Sequence, residues 1–179
     1  MKNLLFFLLV FISGSILAQE KFITKKGTIS FEASVPSFEE VKAKNSTVTA
    51  ILNTDNGEFA ALALMKGFRF KNALMEEHFN ENYIESDDYP KATFKGKLIN
   101  FDNANIQNEY TIKGTLSLHG KSKEIEAKGI LNKDSDDTIS ITSSFITKPE
   151  EFDIKIPSIV SKKIAEDISV SLNFVLKKK

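Results

Sequence analysis

The chain has 179 residues with 24 basic and 24 acidic side chains, and nothing in that balance suggests nucleic-acid binding, which calls for a concentrated basic face. Cysteine is absent, which excludes disulfides and a thiol-linked lipid anchor; stability must come from a buried apolar core. Arg69 is the only arginine, so bidentate grips on phosphate or carboxylate are scarce.

At the N-terminus Lys2 precedes an uncharged apolar run from Leu4 to Ile12, followed by Ser13, Gly14, Ser15, Ile16, Leu17 and Ala18. This is the layout of a secretory signal peptide, too short for a spanning helix, and cleavage is expected between Ala18 and Gln19. Residues 1–18 are then the signal and residues 19–179 one exported domain, periplasmic or extracellular, with no transmembrane segment in the mature chain. The terminal Lys177, Lys178 and Lys179 read as a solvated chain end.

Period-two alternation dominates the mature chain, placing successive side chains on opposite faces of strands. Ile29, Phe31, Ala33 and Val35 alternate with Thr28, Ser30, Glu32 and Ser34. Weaker strands are expected at 44–53 and 58–66, separated by the turn Asp55-Asn56-Gly57. Residues 72–83 break the rhythm, with Leu74, Met75, Phe79 and Tyr83 near helical spacing and Glu76 and Glu77 toward the positive end of the helix dipole. A strand at 91–99 and a turn from Asn100 to Asn108 lead to Tyr110, Ile112, Gly114, Leu116 and Leu118, again on one face. After Gly120-Lys121-Ser122 come strands at 123–132 and 138–146, parted by a turn from Asn132 to Asp137. A short helix is expected over 158–166, after Pro157. Ile168, Val170, Leu172, Phe174 and Leu176 mark the last strand.

Eight strands joined mostly by short links are antiparallel, and such an all-β chain can stack as two sheets or close into a barrel, which removes the exposed edges. At this strand number the interior is just wide enough to be filled by side chains or to hold one small ligand. The presumed inward positions mix small residues (Ala33, Ala61, Ala63, Gly114, Ala127, Gly129, Ser143) with large ones (Phe31, Phe59, Phe94, Phe145, Phe174), which suits either a filled core or a cavity.

Longer stretches resemble the YceI-like family of exported bacterial proteins. They are the run from Phe68-Arg69-Phe70 through His78-Phe79 to Tyr83, then Tyr89-Pro90-Lys91-Ala92-Thr93-Phe94-Lys95-Gly96, and Gly114-Thr115-Leu116-Ser117-Leu118-His119-Gly120. Gly27-Thr28-Ile29-Ser30-Phe31-Glu32-Ala33 and Phe152-Asp153-Ile154-Lys155-Ile156-Pro157 fit the same pattern, so the resemblance spans the mature chain. Lys121-Ser122 stands where many relatives carry a more apolar turn. The resemblance implies a lipocalin-like eight-stranded antiparallel barrel with one or two short helices. It also implies a polyisoprenoid or other long-chain amphiphile in the lumen, as the cargo of a carrier or storage protein, and no enzyme mechanism. The candidate lumen contacts are Phe31, Phe59, Phe70, Phe79, Phe94, Leu116, Leu118, Ala127, Phe145 and Phe174; Arg69 and His78 are the candidate head-group contacts, His78 reading otherwise as a hydrogen-bonding helix residue near the barrel mouth. The expected partner is thus a lipid-like small molecule, an isoprenoid or fatty chain, with no other cofactor. The rival is a filled barrel that presents its loops to a protein.

Other chemistry is set aside. Gly120-Lys121-Ser122 resembles the end of a P-loop, but Thr115 occupies the position of the required glycine and a strand follows. No Gly-x-Ser-x-Gly occurs, and His78 and His119 each lack a second ligand at metal spacing. If Phe68 and Phe70 point inward, Arg69 points outward to a surface carboxylate; a local bulge would turn it toward a head group instead.

Overall fold

The computed structural model describes residues 20–179. The expected signal peptide lies outside the described residues. Among those described, nine strands form one antiparallel sheet: β1 (Lys21–Ser34), β2 (Lys42–Asn53), β3 (Glu58–Leu64), β4 (Arg69–Phe70), β5 (Lys91–Leu98), β6 (Asn108–Leu118), β7 (Lys121–Ser135), β8 (Thr138–Thr147) and β9 (Ile164–Lys178). Eight of them close into a barrel in the order β1-β9-β8-β7-β6-β5-β3-β2, with β2 pairing back onto β1. The ninth, β4, is a two-residue addition that pairs Phe70 with Ala43 of β2. Closure leaves no free barrel edge, which a chain without disulfides gains from directly.

Three local readings are corrected. β1 begins at Lys21, seven residues before the alternation becomes visible, because a bulge between Thr24 and Gly27 shifts the register against β2. The expected turn from Asn132 to Asp137 contracts, since β7 runs on to Ser135 and pairs it with Thr138. The helix expected over 158–166 is one turn, α2 (Ser158–Ser161), and Ile164 already pairs with Ser34 of β1. So short a helix gains little from its own hydrogen bonds, and the sheet ladder takes the rest. The first helix forms as α1 (Ala73–His78) and widens into a π turn at Phe79–Tyr83. Asn72 caps it, its side-chain oxygen accepting the Leu74 and Met75 backbone N–H groups at 2.9 and 3.4 Å.

The two ends of the barrel differ. At the end holding the Asn53–Gly57 turn and the β7–β8 hairpin, Leu52, Leu98, Leu131, Ile139, Ile141 and Leu176 are wholly buried against one another. At the other end lie the long connections, residues 35–41, 65–90 and 148–163, and the tight β6–β7 hairpin. That hairpin turns on His119 and Gly120, both with positive φ (49° and 73°), as a two-residue turn matching strand twist requires.

Candidate functional site: a blind-ended apolar slot

Above the packed end, the barrel encloses a cavity of about 480 Å³ with an almost wholly apolar lining. The lumen is therefore filled at one end and open at the other. None of the six aliphatic residues that plug the lower end touches the cavity.

Its floor is aromatic. The Phe59 ring lies 5.9 Å from Phe94 and 6.1 Å from Phe174, centroid to centroid. Two glycines make room for these rings: a Cβ on Gly27 would stand 2.5 Å from the Phe174 ring, and one on Gly96 2.6 Å from that of Phe94. Gly114 faces Gly96 across the strand pair, and a Cβ there would meet the Lys95 carbonyl at 2.3 Å. Inward residues of the barrel strands, including Leu116, Leu118, Ala127 and Phe145, make the walls.

The mouth carries a second aromatic cluster. Phe31, Phe68, Phe70 and Phe79 lie with centroids 5.2–5.9 Å apart, joining β1 to the segment that holds β4 and α1. Polar side chains reach the cavity mainly at this rim: Glu39, His78, Tyr83, Lys148 and Lys163. Lys148 lies 3.7 Å from Asp167, and the Asn72 amide donates to Glu39 at 3.0 Å.

A polar junction centred on buried His119 braces the rim. His119 Nδ1 donates to the Phe152 carbonyl at 2.9 Å, its Nε2 lies 2.9 Å from Glu85 Oε2, and the Tyr89 ring packs against the imidazole at a tilt, centroids 4.3 Å apart. Lys121 pairs with Asp153 at 2.8 Å, and Lys123 with Glu151. The β6–β7 hairpin is thereby tied to two of the three long connections, residues 65–90 and 148–163. Glu85, His119 and Asp153 all take positive φ here, a cost that the junction's hydrogen bonds offset. The hydrogen bond from Lys121 holds the Asp153 carboxyl below the usual carboxylate range, and Lys123 does the same for Glu151.

The ten side chains named from alternation and resemblance, Phe31, Phe59, Phe70, Phe79, Phe94, Leu116, Leu118, Ala127, Phe145 and Phe174, all line this one cavity. His78 lines it at the exposed rim. Arg69 does not: flanked by inward Phe68 and Phe70, it turns outward, bonds the Lys66 and Phe68 carbonyls and pairs with Glu76 at 2.9 Å. Sequence reading gave no site role to Lys148 and Lys163, which lie in a connection where no period marks an inward face, nor to Tyr83, although its helical spacing with Met75 and Phe79 puts it on their cavity-lining face. Among the described residues, no three His, Cys, Asp or Glu side chains converge as a metal site would need. No helix there is long and apolar enough to cross a membrane.

Fold and site together define a lipocalin-like barrel with a one-ended apolar lumen. The YceI-like domain matches residues 21–176, and the chain belongs to that family. Solved structures agree on the fold. A polyisoprenoid binding domain from Saccharophagus degradans, implicated in plant cell wall breakdown, superposes with a TM-score of 0.77 at 13% identity, covering 90% of this chain and 100% of that one. BcnA of Burkholderia cenocepacia gives 0.71 at 12% identity, covering 84% and 96%, and the Campylobacter jejuni YceI protein 0.65 at 18%, covering 81% and 89%. Among curated protein sequences there is no significant match.

Proposed function

We propose that this protein is an exported carrier or store that binds a long-chain amphiphile, a polyisoprenoid or a fatty-chain lipid, rather than an enzyme. The observation that carries the reading is the slot itself: about 480 Å³ of apolar space, plugged at one end and rimmed by polar side chains at the other. An empty apolar cavity forfeits contacts that a bound chain restores, and burying that chain contributes about 25 cal/mol per Å² removed from water. The tail lies toward Phe59, Phe94 and Phe174, and the polar end stays at the rim beside His78, Lys148 and Lys163. Family membership and the polyisoprenoid-binding neighbour support the ligand class, and the N-terminal segment supports action outside the cytoplasm.

Native mass spectrometry of protein purified without detergent, followed by lipid analysis, tests this. A mass excess that organic extraction removes is the expected result. A protein that carries no lipid and takes up no long-chain probe after extraction refutes the reading.

A further inference from the structure

We infer that the slot encloses a single aliphatic chain of about 19 carbons or fewer, and that any longer chain leaves its remainder outside the mouth. This limit rests on the reading of the slot as a lipid site. The size follows from volume: an engineered apolar cavity of about 150 Å³ takes up benzene, about 25 Å³ per carbon, so about 480 Å³ holds about 19 carbons. That is a common fatty acyl chain or about four prenyl units.

The structure makes the limit an abrupt one. Below the floor there is no room to advance, because the aliphatic plug is buried to zero exposure. The floor rings have little freedom to swing aside. Phe174 is itself fully buried, and its ring occupies the space a side chain at position 27 would need. The Phe94 ring lies over Gly96 toward the plug, and is only half-buried. It is therefore the floor residue whose removal deepens the slot with least disturbance to the core. A chain of some 40 carbons, twice the capacity, would have to pass its outer half through the collar of Phe31, Phe70 and Phe79 into water.

The test is displacement of a fluorescent long-chain probe from delipidated protein by straight carboxylates of 10–24 carbons, each kept below its micellar concentration. Affinity should rise by up to about fourfold per methylene and level off near 18–20 carbons. Phe94→Ala should move the plateau outward by up to about six carbons, and Ala127→Phe, which adds a ring to the wall, should move it inward by about as many. Ile130→Ala, on the outer face, should leave it in place. Straight and tetraprenyl alcohols of 20 carbons, compared with an octaprenyl alcohol, distinguish an acyl from an isoprenoid occupant; under the limit the octaprenyl chain gains nothing over the tetraprenyl one. A rise that continues unbroken to 24 carbons, or a plateau that neither variant moves, overturns the limit while leaving the lipid site standing. Displacement by no chain of any length refutes the lipid site, and the limit with it.

Discussion

Substituting Ala127 with phenylalanine separates an open slot from a filled core. Ala127 pairs with Ile112 across β6 and β7 and faces the cavity. A phenyl ring there takes up about 150 Å³ by the benzene measure, about a third of the 480 Å³, and leaves room for about 13 carbons. An 18-carbon chain then loses burial of about five carbons, roughly 4 kcal/mol at about 0.8 kcal/mol per methylene, or close to a thousandfold in affinity. Were the interior filled, the same ring would overpack it at a cost of about 1–3 kcal/mol. For a domain of this size that lowers Tm by about 2–4 °C per kcal/mol. Melting is followed by circular dichroism on delipidated protein, because bound ligand would itself raise Tm, and affinity by probe displacement. The open slot predicts an unchanged Tm with roughly a thousandfold weaker binding of the 18-carbon chain. A variant that melts well below wild type yet binds an 18-carbon chain undiminished rules the open slot out.

The supporting structure makes further predictions. Gly114→Ala places a methyl against the Lys95 carbonyl and the Gly96 backbone, which cannot yield as a flexible side chain would. It should cost at least the upper part of the roughly 1–3 kcal/mol typical of overpacking; an unchanged urea midpoint would contradict this. His119→Ala leaves the carbonyl of buried Phe152 without its donor and should lose about 1–3 kcal/mol in the same assay. Glu151 is held below the ordinary carboxylate range by its hydrogen bond from Lys123. Its stabilising contribution is complete above the unfolded carboxyl's range and is lost as pH falls through the lowered folded value. Glu151→Gln should flatten the acid limb of stability against pH, and a limb of unaltered slope would remove Glu151 as its source.

The barrel strands were legible because their two faces meet different surroundings, so alternation of apolar and polar residues reports direct contact with the lumen. That is why Phe31, Phe94, Ala127 and Phe174, remote in sequence, could be assigned to one interior. The start of β1 was hidden, since the bulge at Thr24–Gly27 moves residues off the alternating register. Helical spacing of Ile159, Val160 and Ile164 suggested a longer helix than forms, because pairing of Ile164 with β1 outweighs a few marginal helical bonds. Arg69 was readable only conditionally, through its neighbours Phe68 and Phe70. The slot's depth had no local signal at all. It depends on Phe174 crossing over Gly27 and on Phe94 lying over Gly96, contacts that exist only once the barrel closes.

A blind-ended lipid slot stands or falls on where a bound chain lies. A crystal structure of the delipidated protein with 16-bromohexadecanoate would locate the tail through the anomalous signal of its terminal bromine. A single bromine site is expected at the blind end, in contact with Phe59, Phe94 or Phe174, with the carboxylate at the rim near Lys148, Lys163 or His78. Bromine at the mouth or on the outer surface, with the slot empty, would contradict it.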